Sequence, residues 1–516
     1  MAKIPHKAPG PFGAIALSLS GGGYRAAAFH LGSLWYLDRV GILKDVSILS
    51  TVSGGTILGA KYAIAAKRGV AFHDFYKEFS RFLQSTDLVK LSLARLGKKS
   101  RGYFGYTDLI TSMAEVYNKE LFSDERFGIF WQKGAIHLKD IIFNATEFRT
   151  GIGFRFQKSG SPRAVIGNGN VKIDVKAAQQ VRLADITAAS SCFPGGFEPI
   201  AFPTDFRWPD EAVLPELRKD LGKELPLMDG GVYDNQGIES VMHVVGRKGA
   251  KVPGLFIISD TDQPNDDIYT LKTGEGTSAL PLSMLNAFGW ALMFFSIVAC
   301  GLLLNSSGLF GPPGEWSWRT LLYVIASLVP LLTTAAIIWL RRKVIALLDR
   351  VPKVGSRSWK EIKHLTVDQF ADMVQVRLTS LFALTSSIFM KRVRSLVYTL
   401  VYQDKKYDKR RVSNLISDLI RSDKEQVISW LAPSPAVAAV ARDATDMKTT
   451  LWFDNAQQQR SLVACGQFTM CYNILEHIIR RFKDKPENYP AAVRKVYDKA
   501  YSDWKVFQAD PFVMEK

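Results

Sequence analysis

Short apolar runs alternate with amphipathic stretches between Gly13 and about Thr261. Both stretches that follow the first two runs, 24–43 and 54–69, have helical periodicity. The strand-like runs are AIALSLS (14–20), VSILSTVS (46–53), DIIFNATEF (140–148), RAVIGN (163–168) and GLFIISDT (254–261). Strands and helices that alternate at this interval predict an α/β layered domain with a largely parallel central sheet.

Two later apolar runs are much longer than a strand. Residues 285–304 and 321–340 are each uncharged, and a helix of that length reaches roughly 30 Å, the thickness of a bilayer core. They predict a two-helix transmembrane hairpin. The Arg341, Arg342 and Lys343 cluster closes the second run, and the positive-inside rule keeps it cytoplasmic, together with both large flanking regions. The alternative is a buried helical hairpin inside a soluble oligomer.

These patterns divide the chain into four parts. We expect a catalytic domain at 1–262, a linker at 263–284, the transmembrane hairpin at 285–340, and a basic, mainly helical C-terminal region at 341–516. Within the last part, 391–411 is rich in Lys and Arg, which indicates either contact with anionic headgroups or a solvated helix face. The basic and aromatic segment 98–106 (KKSRGYFGY) is interpreted as an interfacial lid or as a plain loop.

The net charge of +17 and the isoelectric point near 9.5 favour an anionic partner, either nucleic acid or an acidic membrane surface. The apolar runs favour the membrane, and the chain contains no recognisable nucleic-acid-binding module. Four cysteines without CxxC spacing indicate reduced, buried thiols rather than a disulfide framework. No His, Cys and Asp cluster has zinc-ligand spacing, so neither a metal nor another cofactor is expected. The first residues lack the apolar core of a cleaved secretory signal.

Ser53 ends a strand-like run and is followed at once by Gly54, Gly55 and a helical stretch. A nucleophilic serine on a tight strand-to-helix turn needs this arrangement, because bulky neighbours would not fit and the helix amides face the new negative charge. A Ser-Gly-Gly triplet alone is usually a loop. Thr51 stands where the G-x-S-x-G pattern has its first glycine.

A second loop, Ser20-Gly21-Gly22-Gly23-Tyr24-Arg25, also joins a strand to a helix. It matches neither the phosphate-loop pattern nor the dinucleotide-binding pattern. Consecutive glycines can present backbone amides in a concave nest, as an oxyanion hole requires. In a parallel sheet this loop and the serine turn would lie at the carboxyl ends of adjacent strands.

Five blocks in order carry a resemblance to a known family. They are SGGGYRA (20–26), VSGG (52–55), FNAT (143–146), AASSCFPGGFEP (188–199) and DGGVYDN (229–235). With these blocks, residues 13–262 resemble the patatin-like phospholipases, which hydrolyse lipid acyl esters with a Ser–Asp dyad. The resemblance implies Ser53 as nucleophile, Asp229 as base, and the Gly21, Gly22 and Gly23 amides as the oxyanion hole, braced by Arg25.

The resulting expectation is a serine hydrolase that cleaves acyl esters of membrane glycerophospholipids from the cytoplasmic side of a bilayer. Lysophospholipids and neutral acylglycerols are the alternative substrates. An inactive membrane scaffold, suggested by Thr51, and a regulated membrane-damaging effector are the other possibilities. His243 satisfies the Ser, Asp, His order of a conventional triad, but it lies in a helical stretch where a packed or surface role is expected. His30 is also expected to be structural.

Overall fold

The computed structural model describes residues 10–100, 102–247, 251–261, 281–307, 318–349, 366–384, 388–420, 428–483 and 485–515. The chain divides into two compact units. Unit 1 comprises residues 1–266 and 385–516, and unit 2 comprises residues 267–384. The linker expected at 263–284 lies mostly outside the described residues, as does Arg101 in the 98–106 segment.

Unit 1 is built on one mixed sheet with ten strands in the described residues. The strands are β1 (Ile15–Leu19), β2 (Val46–Val52), β3 (Asp140–Glu147), β4 (Ile152–Lys158), β5 (Ile166–Gly167), β6 (Lys172–Ile173), β7 (Ile200–Phe202), β8 (Leu225–Asp229), β9 (Leu255–Asp260) and β10 (Arg411–Leu415). The five expected strand-like runs correspond to β1, β2, β3, β5 and β9, although β5 is only two residues long.

The helices of unit 1 pack around this sheet, and those of unit 2 follow β9. The α-helices are α1 (Gly23–Arg39), α2 (Gly54–Arg68), α3 (Phe72–Ser85), α4 (Leu88–Leu93), α5 (Leu109–Tyr117), α6 (Val175–Gln179), α7 (Leu183–Ser190), α8 (Val213–Leu221), α9 (Gly231–Asp234), α10 (Ile238–Gly246), α11 (Leu282–Ser306), α12 (Trp318–Asp349), α13 (Val367–Ala383), α14 (Phe389–Gln403), α15 (Pro435–Asp446), α16 (Ala456–Phe482) and α17 (Ala491–Ala509). Alternation of β1 and β2 with α1 and α2 agrees with the expected α/β domain.

The sheet is parallel through its centre and antiparallel at one side. Its order is β10-β9-β1-β2-β3-β4-β5-β6, with the first five strands parallel. Strand β4 turns back antiparallel along β3, and β8 and β7 continue the antiparallel part. The predicted largely parallel sheet is therefore confirmed for the central strands that carry the serine turn and the glycine loop.

Both faces of the sheet are covered, because its strands send alternate side chains to two separate cores. Leu17 and Ile257 belong to the larger core, whereas their neighbours Ala16 and Phe256 belong to the smaller one. Helices on both faces are the expected solution for a buried parallel sheet, whose strands are apolar on both sides. All five residues of β1 are buried, as this position requires.

The C-terminal residues complete unit 1. Strand β10 pairs in parallel with β9, and α16 lies against α1. The two helices approach closely at two glycines: a Cβ at Gly32 would lie 2.0 Å from the Val463 carbonyl oxygen, and one at Gly466 would lie 2.0 Å from that of Phe29. The sequence-based boundary at 340/341 therefore differs from the unit boundary, since 385–516 packs with the N-terminal sheet in one compact unit.

Unit 2 contains helices α11, α12 and α13. Residues Ala287–Ser306 and Trp318–Trp339 are long and apolar enough to cross a membrane. Their large apolar side chains are exposed, including Phe288, Phe295 and Leu332 at 65–69% of their surface. Pro330 is accommodated within α12. Length, composition and exposure make these two helices candidate membrane spans.

Candidate active site

Ser53 occupies a strained turn between β2 and α2. Its backbone angles, φ 50° and ψ −119°, place a non-glycine residue in a rarely populated region. The side chain is 8% exposed. The amides of Thr56 and Ile57 donate to its carbonyl oxygen at 2.8 and 3.1 Å, which starts the helix immediately. A strained, solvent-reachable serine between a strand and a helix has the geometry of a nucleophile elbow.

Thr51 fits the strand before this turn without distorting it. The residue is fully buried, and its hydroxyl lies 2.9 Å from that of Thr56 on α2. The space for its methyl group comes from Gly59, where a Cβ would approach the Thr51 Cγ2 to 2.5 Å. The small residue that a tight elbow needs at this contact is thus supplied by the helix rather than by the strand.

Strand β3 brings Ser53 and Asp229 together along one of its edges. Its first half pairs with β2, with Val52 opposite Asn144, and its last residues pair with β8, with Asp229 opposite Ala145. Strands β2 and β8 therefore run toward each other along the same edge and end at adjacent registers. The side chains of Ser53 and Asp229 meet there, close enough for the Ser53 hydroxyl to lower the pKa of the Asp229 carboxyl group.

Asp229 is 3% exposed, and burial raises the pKa of its carboxyl group to about 6. The nearby Ser53 hydroxyl and the Gly231 amide, which donates a hydrogen bond at 2.7 Å, oppose this rise because they stabilise the carboxylate. A carboxylate with a pKa near 6 is a better proton acceptor than a solvated one and is still ionised at neutral pH.

The glycine loop between β1 and α1 lies directly against the serine turn. A Cβ at Gly21 would be 3.0 Å from the Ser53 Cβ, and one at Gly54 would be 2.1 Å from the Gly23 carbonyl oxygen. Gly22 and Gly23 also have positive φ angles of 138° and 56°. Side chains at Gly21, Gly23 or Gly54 would push the two loops apart, so these glycines are required by close approach.

The amides of this region divide into two groups. The Gly21 amide donates to the Asn235 carbonyl oxygen at 3.0 Å, so it already has an acceptor. Within the described residues, no acceptor is recorded for the amides of Gly22, Gly23 or Gly54. Of the three amides expected to form an oxyanion hole, Gly22 and Gly23 therefore remain as candidate donors, and the Gly54 amide at the start of α2 is a third.

Arg25 points from the start of α1 to the C-terminal part of the chain. Its Nη1 donates to the Met447 and Thr445 carbonyl oxygens at 2.9 and 3.4 Å. One residue earlier, the Tyr24 amide donates to the Thr450 carbonyl oxygen at 2.8 Å. The glycine loop is thus held from outside by residues 445–450, an arrangement that no local sequence signal indicated.

The segment Ser190–Cys192 connects the serine turn to Asp229, a role that the sequence alone did not indicate. The Ser53 amide donates to the Ser190 Oγ at 3.0 Å, and that hydroxyl donates to the Asn144 carbonyl oxygen at 2.6 Å. The Asp229 amide donates to the Cys192 carbonyl oxygen at 2.9 Å. The AASSCFPGGFEP block contains this segment, so its match to the family was a signal for the site, but the block by itself does not say which residues it contacts.

The two histidines considered for a triad have other contacts. His243 lies on α10 with 54% of its side chain exposed, 2.9 Å from the Glu239 carboxylate. His30 is fully buried between the Ser259 hydroxyl and the Ser20 carbonyl oxygen, and burial lowers its pKa to about 4. No group of three or more His, Cys, Asp or Glu in the described part of the chain could hold a metal ion.

Comparisons with known proteins agree with this geometry at the level of the family. Residues 17–242 match the family model described as patatin-like phospholipase. The crystal structure of VipD from Legionella pneumophila is 11% identical over 95% of this chain and 90% of that one, with a TM-score of 0.24. No curated protein matched the sequence. Residues 17–242 therefore form a patatin-like phospholipase domain within this chain.

Proposed function

We propose that this protein is a serine hydrolase that cleaves fatty-acyl esters of membrane glycerophospholipids, with Ser53 as nucleophile and Asp229 as general base. The patatin-like phospholipase domain supports lipid acyl hydrolysis in general. The observation that carries the specific proposal is the meeting of β2 and β8 on one edge of β3, because it brings a strained serine next to a buried carboxylate of raised pKa.

The chemistry would follow two acyl-transfer steps. In the first, the Ser53 Oγ attacks the ester carbonyl carbon and its proton passes to Asp229. The tetrahedral intermediate collapses, the ester C–O bond breaks, and the leaving alcohol takes the proton from Asp229. In the second, water attacks the acyl-enzyme, again with Asp229 as base, and the fatty acid leaves as Ser53 regains its proton.

The negative charge on the tetrahedral oxygen needs donors that are fixed before the reaction. We assign this role to the amides of Gly22 and Gly23, with Gly54 at the start of α2, since none of the three has a recorded acceptor among the described residues. Gly21 would set the spacing between the loop and Ser53. Removal of one oxyanion donor typically lowers the rate by about 100- to 1000-fold.

The membrane part of the proposal rests on unit 2. Two apolar helices with exposed surfaces support a membrane-anchored enzyme, and anchoring keeps a lipid substrate at high effective concentration. The Arg341–Lys343 cluster after the second apolar stretch supports a cytoplasmic orientation. A net charge of +17 fits an anionic membrane surface.

The test is fatty acid release from mixed phospholipid vesicles that contain the reconstituted full-length chain. We expect release by the wild type and losses of at least about 1000-fold in Ser53→Ala and Asp229→Asn, as expected when a nucleophile or its base is removed. Ser85→Ala and Asp408→Asn change an exposed serine and an exposed aspartate and should leave the rate unchanged. Unchanged activity in Ser53→Ala would contradict the assignment.

The same assay separates the alternatives. Fatty acid release from lysophospholipid or acylglycerol, with none from diacyl phospholipid, would change the assigned substrate class. It would leave Ser53 and Asp229 as the proposed catalytic residues. A wild type that neither releases fatty acid nor reacts with a fluorophosphonate at Ser53 would favour an inactive scaffold. The accommodation of Thr51 by Gly59 speaks against a disabled elbow.

A further inference from the structure

An ordered hairpin in unit 1 presents three aromatic rings to solvent. Tyr103, Phe104 and Tyr106 are 59%, 44% and 49% exposed, and their rings contact one another with centroids 5.3 and 6.0 Å apart. Leu93 and Leu96, just before the hairpin, are also exposed. An isolated exposed aromatic is ordinary, but a cluster of three beside two leucines is an unusual surface for a soluble domain.

The aromatic cluster is held in place by backbone contacts. The hairpin closes with a bridge between Lys99 and Tyr106 and with hydrogen bonds from Thr107 to Lys98 and from Gly97 to Thr107. Its tip is fixed to the domain because the Tyr103 amide donates to the Asp205 Oδ1 at 2.7 Å. The rings are therefore exposed although their backbone is anchored.

A basic pocket lies at the base of this hairpin. It has a volume of about 410 Å³, and its lining includes Arg95, Lys98, Arg182 and Arg207 against the single carboxylate of Glu115. Glu115 is engaged by Arg182 and Arg207 at 3.0 and 3.2 Å. Arg95 and Lys98, both exposed, form no ion pair with another described residue, so the pocket keeps two positive charges toward solvent.

The hairpin is connected to the surroundings of the glycine loop. Helix α4, which leads into it, begins at Leu88, whose amide donates to the Leu451 carbonyl oxygen at 3.2 Å. The neighbouring Thr450 carbonyl oxygen accepts the Tyr24 amide beside Gly23. The Tyr24 hydroxyl also donates to the Thr86 carbonyl oxygen at 3.0 Å. The same segments thus hold both the glycine loop and the start of the helix before the hairpin.

We propose that Tyr103, Phe104 and Tyr106 insert at the level of the headgroups of an anionic phospholipid bilayer, while the basic pocket formed with Arg95 and Lys98 takes a headgroup phosphate. Aromatic side chains favour the interface between water and acyl chains, and each cation near an anionic surface adds attraction. This surface deepens the proposed function, on which it rests, because it would orient the site toward its lipid independently of the apolar helices of unit 2.

The experiment follows the position of the hairpin in the reconstituted full-length chain. Ser53→Ala keeps the lipids intact, and Cys300→Ser removes a partly exposed thiol, while the other three cysteines are buried. Phe104→Cys is then labelled with an environment-sensitive fluorophore, and quenching by lipids with spin-labelled acyl chains is measured. Phe148→Cys, at another exposed phenylalanine, is the control. We expect strong quenching at position 104, increased by added phosphatidylglycerol, and little at 148.

The basic pocket is tested in the same background. Arg95→Gln with Lys98→Gln should lower the docking equilibrium by about fivefold per cation in anionic vesicles, and by less in pure phosphatidylcholine, where the choline cation offsets the headgroup phosphate. Lys219→Gln with Lys495→Gln removes the same charge from exposed positions elsewhere and should have no such effect.

Quenching at 104 no greater than at 148 would overturn the proposal. A fluorescence change that follows protein concentration but not lipid composition would identify a second copy of the chain as the occupant and would also overturn it. Because the Ser53→Ala background hydrolyses nothing under the proposed mechanism, docking can succeed or fail separately from the catalytic assignment.

Discussion

The two units of this protein differ in whether their apolar residues are buried or exposed. In unit 1, the strands of the central sheet are buried on both faces, and the candidate site residues Ser53 and Asp229 are buried beside them. In unit 2, the two long apolar helices are almost entirely exposed. Each large apolar side chain left in water forgoes about 1.5–3 kcal/mol of burial energy, so only an apolar environment outside the chain makes such a surface stable.

The two units also differ in how closely other atoms approach some of their glycines. In unit 1, glycines occur where backbones meet, as at Gly54 against Gly23 and at Gly32 against Val463. In unit 2, Gly289 and Gly301 have no atom within 4 Å of the position where a Cβ would be. Close packing within the chain requires glycine at such positions of the first unit, whereas no described atom lies near enough to require it at Gly289 or Gly301 of the second.

The prediction with the largest expected effect compares a closely packed glycine of unit 1 with an exposed glycine of unit 2. In Gly54→Ala, the new Cβ would lie 2.1 Å from the Gly23 carbonyl oxygen, so the serine turn and the glycine loop must separate. We expect hydrolysis to fall by at least about 100-fold, as for the loss of one oxyanion donor. Gly301→Ala should leave the rate unchanged in the same vesicle assay. Equal losses of rate in Gly54→Ala and Gly301→Ala would show that close packing does not distinguish these two glycines.

A second prediction tests the surroundings of unit 2. Val298→Arg places a charge near the middle of the first apolar helix and should cost about 3 kcal/mol of membrane insertion. Asn305→Arg, near the end of the same helix, should cost much less, since its side chain can reach the interface. The measurement is the fraction of full-length chain that resists carbonate extraction. An equal fraction in the two variants would instead favour a helical hairpin buried in a soluble oligomer.

The pH dependence of the dyad is a third prediction. With the Asp229 pKa near 6, kcat/KM should rise with pH through about 6, and the rate at pH 5 should be about tenfold below that at pH 7. The raised pKa also implies that the folded state binds this proton more tightly than the unfolded state. Stability from this group is thus full below about pH 4 and is lost as pH rises through 6.

Asp229→Asn should therefore be inactive yet more stable at pH 7.5 than the wild type, by about 2–3 kcal/mol. Denaturant unfolding of the two proteins at pH 4 and pH 7.5 measures this difference. A variant that is equally destabilised at both pH values would show that the side chain serves packing rather than proton transfer.

The smallest effect concerns Thr51. Thr51→Gly restores the G-x-S-x-G pattern but removes a buried methyl group and the hydroxyl contact with Thr56. We expect the rate to change less than tenfold, and stability to fall by about 1–3 kcal/mol through lost packing and the freedom of glycine in a strand. A large gain in activity would mean that threonine disables the elbow.

Local pattern predicted the central strands well and the outer parts of the fold poorly. Strands β1, β2, β3 and β9 were recognised because their residues are buried and apolar. Strand β8, which carries Asp229, is a five-residue segment after a polar helix and was missed as a strand, although its Asp-Gly-Gly end was identified. Strand β10 alternates buried and partly buried residues within a basic segment, and the charged residues there made a strand hard to recognise from the sequence.

The sequence by itself determined the α/β pattern and the apolar helices, and it indicated Ser53 and Asp229 as candidates for the reactive side chains, because these depend on periodicity, length and short motifs. Tertiary structure decided which backbone amides near Ser53 already have an acceptor and that residues 445–450 support the glycine loop. It also decided that Ser190 and Cys192 join the serine turn to Asp229. Such contacts link residues far apart in the chain, and local pattern carries no information about them until the sheet order brings their strands together.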